Sequence, residues 1–579
     1  MEFLKSIKRL FGKGEAEIVK SEPVVQTVVV KTNLQTRKPR TPKTSKDVVP
    51  NIDKTNNDTE TKPLSQKVIN VLKNLYQYQQ DAVTKTFYNF KGIICLPTGT
   101  GKTYCQAAII ANDILMNPGQ YRTYVVNAPR ILLTYQLLKE VYSFLVANGI
   151  EARYMFVHSG GKTDESELEE MRINSNLDGN NIPFSEIGSG TSVTGIREMM
   201  EKAKSQDLPL IFFSTYNSAD KIETARSVYK QPISIVVNDE AHYLVQEQFH
   251  DILNTLSASR CYFFTATVIN TPALSGGRGM QNISLYGEIL YSMTPREAID
   301  LGKMVRPRLH IVKTDGVYTS EDYEKSLSKI IYESFYQHKS VIGNKLAPKI
   351  LISVKGTNDI KKFLSSKEYQ SLRQDDVDIY AVASSEEIGN DINGVRVRRQ
   401  DFLKSLKQNE NNKEKKIIVL HYDTMAEGIS INGFTGIMPL RTLNKSKFLQ
   451  TFGRAARLDK DDRAKLETGE ITSNDLDKFN KPYAYIIIPN VIHSNEDDKE
   501  NLTQLITELR SYGFNPSEDI ISSSMVNGIP ETEEMHGLND IKTKIPNIGK
   551  LIENLEADIE SEKNSKLSKK EFLLKNIEV

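Results

Sequence analysis

The sequence predicts an α/β protein with two parallel-sheet domains in tandem. Three observations carry that prediction. Between about residues 66 and 300, apolar strand-like runs alternate with helical patterns; a second such series begins near residue 305; and a glycine-rich loop joins an apolar run to a helical pattern within the first series. The first series is Gly92 to Cys95, Thr123 to Val126, Leu210 to Phe213, Ile233 to Val237 and Tyr262 to Phe264. The second is Lys349 to Ser353, Tyr380 to Val382, Lys416 to Leu420 and Ala484 to Ile488. The expected domains are therefore 65–303 and 304–490, flanked by an N-terminal extension, 1–64, and a helical C-terminal extension, 491–579.

With 579 residues the chain is long enough for several domains with their own cores. It carries 75 basic and 74 acidic residues, a net charge of +1, so no global field advertises nucleic acid and any basic surface is local. Cys95, Cys105 and Cys261 form no CxxC pair, which argues against a zinc site and for a reducing compartment. No apolar stretch reaches the length of a membrane span, and the N-terminus lacks a secretory signal. A soluble, cytoplasmic protein is expected, and the Lys/Asn-rich composition suggests a bacterial cell or a phage-infected host.

In residues 2–11, Phe3, Leu4, Ile7, Leu10 and Phe11 share one helical face, with Lys5, Lys8 and Arg9 opposite. Such a basic amphipathic helix suits a partner protein, an anionic membrane surface, or docking on the body of the chain. The polar segment that follows reads as a disordered linker; Lys31 to Lys46 holds six basic residues and no acidic one, compatible with a solvated tail or weak phosphate binding. The polar stretch Gly160 to Gly188 reads as a surface excursion of the first domain. Beyond 490, Leu502, Leu505, Ile506 and Leu509 share a face, and a charged helix is expected from Ile548 to Ile559. These helices either pack on the second domain or associate with another chain.

Leu96-Pro97-Thr98-Gly99-Thr100-Gly101-Lys102-Thr103 has the chemistry of a phosphate-binding loop. Glycines let backbone N–H groups close around phosphates, the Lys102 ammonium reaches the β and γ phosphates, and the Thr103 hydroxyl faces Mg²⁺. The ligand implied is ATP or GTP. Leu96 stands where the commonest form of this loop has glycine.

Asp239-Glu240-Ala241-His242 follows the apolar run Ile233 to Val237. Because neighbouring strand residues point to opposite sides, the adjacent carboxylates diverge, so that Asp239 can hold the metal while Glu240 reaches the attacking water. In the second domain, helical spacing puts Gln450, Arg454 and Arg457 on one face, with Phe448, Leu449, Phe452, Ala455 and Ala456 toward a core. Paired guanidinium groups suit the charge on a transferring phosphoryl group, although an ordinary basic helix has the same pattern.

These elements, in this order, resemble the motifs of superfamily 2 helicases over roughly residues 70 to 490. Leu75 to Gln80 looks like the adenine-recognition element, Leu96 to Thr103 like motif I, and Ala128-Pro129-Arg130 with Gln136 like motif Ia. Thr191-Ser192 and Ser214-Thr215-Tyr216 resemble strand-tracking elements, Asp239 to His242 a DEAH form of motif II, and Thr265-Ala266-Thr267 motif III. Ile350 to Lys355 resembles motif IV, Glu427-Gly428-Ile429-Ser430 motif V, with Ser430 where many relatives carry Asp, and Gln450 to Arg457 motif VI.

The resemblance implies two RecA-like lobes with ATP and Mg²⁺ in the cleft between them. It assigns Gln79 to adenine, the loop residues Pro97, Thr98, Gly99, Thr100, Gly101, Lys102 and Thr103 to the nucleotide, and Thr103 and Asp239 to the metal. Lys102, Asp239, Glu240, Gln450, Arg454 and Arg457 become catalytic candidates. His242, Thr265, Thr267, Glu427 and Gly428 would couple the ATP site to a strand site, and Pro129, Arg130, Thr191, Thr215 and Tyr216 would contact the nucleic-acid backbone without reading sequence. The expected function is an ATP-dependent helicase. DNA is favoured by the likeness of Leu75 to Gln80 and Tyr286 to Lys303 to helicases related to restriction subunits and phage or repair enzymes. An RNA helicase, a duplex translocase, and an ATP-switched clamp that recruits protein partners through its terminal helices are the alternatives.

Overall fold

The structure, a computed structural model, describes residues 65–158, 187–228, 233–271, 277–314, 320–383, 385, 387–422, 432–441, 443, 445–489, 503, 505–515, 518–546, 549–550, 552–554 and 557. The expected amphipathic helix and linker, the excursion up to residue 186, Glu427 to Ser430, Leu502 and much of 548–559 lie outside these residues.

Eight strands build the first sheet: β1 (Lys91–Cys95), β2 (Thr123–Ala128), β3 (Arg153–Val157), β4 (Gly188–Ser189), β5 (Leu210–Thr215), β6 (Ile233–Asn238), β7 (Ala258–Thr265) and β8 (Glu288–Ser292). Their order is β4-β3-β5-β2-β6-β7-β1-β8, and every pairing is parallel. Every residue of β2, β5 and β6 is buried, as expected where helices cover both faces of a parallel sheet. This is why those strands read as continuous apolar runs. The edge strand β8 and the half-buried start of β7 carry weaker patterns and were legible only in part.

The second sheet contains β9 (Arg306–Lys313), β10 (Lys349–Ser353), β11 (Val377–Ala383), β12 (Asn390–Ile392), β13 (Val395–Val397), β14 (Lys416–Tyr422), β15 (Gly436–Pro439), β16 (Tyr483–Pro489), β17 (Ile520–Val526) and β18 (Ile529–Glu534). Its order is β13-β12-β11-β14-β10-β15-β16-β9-β17-β18. A parallel centre runs from β11 to β17, and antiparallel pairings add β12 and β13 at one edge and β18 at the other. Here the expectation of a purely helical C-terminal extension is corrected. The stretch Ile520-Ile521-Ser522-Ser523-Ser524 pairs with Leu309 to Lys313 of β9, so the second sheet continues past residue 490. Its serines hid the strand from a reading of apolar runs, whereas in the fold Ser522 and Ser523 are buried.

Ser523 is accommodated there by a buried hydrogen-bond network. His310 Nε2 lies 2.6 Å from Ser523 Oγ, and Ser523 Oγ donates to Gln337 Oε1 at 2.6 Å. His338 Nε2 is 2.9 Å from Thr435 Oγ1, and the two imidazole rings are 5.9 Å apart. Burial pushes the His310 pKa down to about 3 and that of His338 well below its usual value, so both rings are neutral in the fold. The unfolded chain binds protons below about pH 6.5 that the folded lobe refuses. Stability is therefore full above that pH and is lost as pH falls, approaching about 1.4 kcal/mol per pH unit for each histidine. Urea midpoints measured from pH 7.5 to 4.5 should show this decline, and His310→Gln should make it shallower; equal slopes for the two proteins would refute the assignment.

Candidate active site

The loop Leu96 to Thr103 leaves the C-terminal end of β1 and enters the helix Lys102–Met116, the junction that aims a helix N-terminus at an anion. Gly99 and Gly101 take left-handed backbone angles, φ +88° and +78°, which glycine adopts without steric cost. Pro97 and Thr100 are buried inside the loop and shape it, with the Thr100 hydroxyl donating to Pro97 O at 2.7 Å. Thr98, Gly99, Gly101, Lys102 and Thr103 line a cavity of about 330 Å³. The Lys102 ammonium rests 3.4 Å from Leu96 O.

Gln79 braces this loop. Its Oε1 accepts the Tyr76 N–H at 3.0 Å, and its Nε2 donates to Thr100 O at 3.1 Å and Gly101 O at 3.3 Å. At 3% exposure it is not among the cavity-lining residues. An adenine contact through Nε2 would thus require that group to give up a bond it already makes, whereas Oε1 keeps a second lone pair.

Asp239 and Glu240 stand just beyond β6, which ends at Asn238. The pleat therefore does not separate their carboxylates, as the sequence suggested. A left-handed turn does so, with Glu240 at φ +48°, and both side chains line the cavity. Asp239 is anchored on all sides: its N–H donates to Asn127 O at 2.8 Å, its carbonyl accepts from Tyr216 Oη at 2.6 Å, and its Oδ1 accepts from Gln106 Nε2 at 2.7 Å. Burial first, and then the Glu240 charge, raise the Asp239 pKa well above the usual carboxylate range, with Lys102 and Gln106 opposing the shift.

Among the described residues no group of three or more His, Cys, Asp or Glu side chains is arranged to hold a metal ion. One buried carboxylate under-compensated in charge, with the Thr103 hydroxyl on the same cavity wall, does fit a magnesium ion that arrives with phosphates supplying further oxygens.

A chain of contacts leads away from Glu240. His242 Nδ1 lies 3.4 Å from Glu240 Oε2 and 3.2 Å from Thr265 Oγ1. The Thr265 hydroxyl donates to Thr267 O at 2.8 Å and accepts the Thr267 N–H at 3.1 Å. Three of the five expected coupling residues are thereby joined; Glu427 and Gly428 lie outside the described residues.

The opposite wall comes from the second sheet's side of the molecule. Gln450 and Arg454 project from the helix Lys445–Ala455, and Arg457 follows in the turn beyond it. The predicted single helical face thus stops short of Arg457, because Asp459 caps the next helix, Lys460–Glu467, by accepting the N–H groups of Asp461 and Asp462. All three side chains nevertheless line the cavity. The approach is close: a Cβ on Gly453 would come within 2.9 Å of Thr98 Cβ, and one on Gly99 within 3.6 Å of Arg457 Cγ. On another side, the Tyr76 hydroxyl donates to Glu467 at 2.6 Å while the Lys303 ammonium sits 3.4 Å from the Tyr76 ring centre.

Of the residues expected to contact nucleic acid, Pro129 and Arg130 line this same cavity, and Thr191 is half-buried beside the helix cap Ser192. Thr215 and Tyr216 correct the expectation. Thr215 is buried with its hydroxyl donating to Ser218 Oγ at 3.1 Å, and Tyr216, 1% exposed, is packed with Phe249 and holds the Asp239 carbonyl. Neither presents a surface to a strand. Conversely, the cavity includes Glu140, Tyr243, Asn432 and Arg463, which sequence reasoning missed. Three of them left a signal that could have been followed: Tyr243 directly after His242, Asn432 two residues past Ser430, and Arg463 six residues past Arg457 on a capped helix.

A loop of phosphate-binding form on one parallel sheet, faced across a cavity by arginines from the side of a second, mixed sheet, makes a tandem RecA-like arrangement. Residues 72–270 match the family model described as Type III restriction enzyme, res subunit. Among solved structures, the ATP-dependent Type ISP restriction-modification enzyme LlaBIII bound to DNA is similar in fold, with TM-score 0.54 and 17% identity over 76% of this chain. The chain spans 30% of that enzyme's length. S. cerevisiae Dbp5 bound to RNA and ADP BeF3 aligns at TM-score 0.45 and 12% identity over 85% of this chain and 98% of its own. No curated protein matches the sequence. Family model and fold together bear out the resemblance drawn from the motifs. No helix among the described residues is long and apolar enough to cross a membrane.

Proposed function

We propose that this chain is a nucleic-acid motor of the helicase type that hydrolyses ATP between its two lobes, with DNA as the favoured track. One observation carries the reading: a single cavity is lined by Lys102 and Thr103, by Asp239 and Glu240, and by Gln450, Arg454 and Arg457 from the other lobe. Hydrolysis then requires both walls, so any strand that stabilises the closed arrangement accelerates turnover, and release of the lobes after hydrolysis advances the grip.

In this scheme the loop N–H groups and Lys102 hold the phosphates. Thr103 and Asp239 would hold Mg²⁺, which when bound neutralises charge on the β and γ phosphates. Glu240 orients the attacking water and receives its proton. Arg454 and Arg457 stabilise charge on the transferring group. The contacts from Glu240 through His242 to Thr265 and Thr267 offer a route by which strand occupancy alters the base. The restriction-subunit family match over residues 72–270 favours DNA.

The test is steady-state ATP hydrolysis without nucleic acid and with single-stranded DNA, duplex DNA or single-stranded RNA, at low and moderate salt. Strong stimulation by single-stranded DNA, followed by strand displacement, is expected. Stimulation by duplex or RNA alone would replace the DNA-helicase reading with a translocase or an RNA helicase. Hydrolysis indifferent to all three would replace it with a partner-controlled switch.

A further inference from the structure

Arg457 stands outside the helix that presents Gln450 and Arg454, so helical geometry does not fix its direction. Lys481 and Asn432 are among the groups that hold it. Its carbonyl accepts the Lys481 ammonium at 2.5 Å, and the buried Lys481 is itself fixed by its N–H donating to Asp462 Oδ2 at 2.9 Å. At the other end, Arg457 Nη1 donates to Asn432 Oδ1 at 3.0 Å. Asn432 is in turn tethered: its backbone N–H donates to Glu410 Oε2 at 2.9 Å. Glu410 is 6% exposed, is paired with Lys407 at 2.9 Å, and has its carbonyl bound by Lys349 Nζ at 2.8 Å. Asn432 and Arg457 both line the cavity.

A neutral amide oxygen at this point has a specific consequence. It orients one edge of the guanidinium without itself neutralising the charge, whereas a carboxylate at that position would offset it. Burial already lowers the Arg457 pKa, with Glu410 and Glu140 opposing the shift, so the site is poorly solvated and orientation matters more than in water.

We infer that Asn432 is the positioning residue for Arg457, anchored through Glu410 and acting on hydrolysis only through that guanidinium. The inference rests on the proposed role of Arg457 in hydrolysis. It is tested on the full chain by a cycle of Asn432→Ala, Arg457→Ala and the double variant. The readouts are kcat and KM for ATP, binding of a fluorescent ATP analogue, and thermal midpoint. Asn432→Ala should lower kcat by about tenfold to a hundredfold through misplacement, leave analogue affinity within about twofold, and cause no further loss when Arg457 is already alanine. Asn432→Asp keeps the acceptor but adds charge, and should lower kcat at least as far; it also serves as the first arm of a second cycle should the alanine variant fold poorly. Losses that multiply in the double variant, or a change confined to KM or to thermal midpoint, would overturn the inference. If Arg457→Ala itself left kcat unchanged, the proposed role of the arginine would fall first and the positioning role with it.

Discussion

Glu240→Gln is expected to reduce ATP turnover by roughly 10²–10⁴-fold, the range for loss of a general base, while nucleotide binding stays near the wild-type level. The replacement is isosteric, so the left-handed turn at φ +48° and the contact with His242 can persist. What disappears is the capacity to take a proton from water. The two carboxylates also differ in how they are held. Asp239 is 4% exposed, with one oxygen already engaged by Gln106, and it is fixed through both backbone groups. The Glu240 side chain, at 18% exposure, reaches into the cavity from a less constrained position. Single-turnover hydrolysis beside nucleotide binding checks the assignment. Turnover within about threefold of wild type would show that Glu240 is not the base, since loss of a general base costs far more.

Arg457→Ala is expected to slow hydrolysis by about 10³-fold, the lower end of what a guanidinium supplied across a nucleotide site contributes. Its ATP affinity should change little, because the phosphate loop and Lys102 supply most of the ground-state grip. The arginine belongs to the lobe opposite the loop, yet lies against Gly99, the position that the proposed stabilisation of charge on the transferring group requires. Nucleic-acid stimulation should fall with the basal rate, because closure no longer completes the site. A loss in affinity with unchanged kcat would mean that Arg457 holds the bound nucleotide equally in ground and transition states.

Much of this site was legible in the chain. Gly99, Gly101, Lys102 and Thr103 could be read because the spacing of a phosphate loop is set by local backbone geometry, which neighbouring residues alone determine. Asp239 and Glu240 were marked by the fully apolar β6 before them. Arg454 and Arg457 were marked by their spacing, even though the helix ends before the second. The strands most easily found were those buried on both faces, β2, β5 and β6, while β17 escaped because Ser522 and Ser523 stand where apolar residues would, Ser523 held there by hydrogen bonds.

What the chain could not disclose depends on partners far away in sequence. Tyr216 reads as a strand contact until the fold buries it beneath the Asp239 carbonyl. Gln79 reads as an adenine contact, yet both ends of its amide are engaged by neighbouring backbone. Asn432 lies two residues past the stretch that resembles motif V, outside the pattern itself, and gains its place only because the turn after the Lys445–Ala455 helix brings Arg457 within 3.0 Å. The sequence by itself determined the parallel centres of the two sheets, the loop that fits phosphates and the types of charged group in the site, because these follow from local periodicity and spacing. The tertiary structure alone decided which of those groups share one cavity, which are withdrawn into the core, and which neutral side chain aims Arg457, because proximity across lobes is a property of packing.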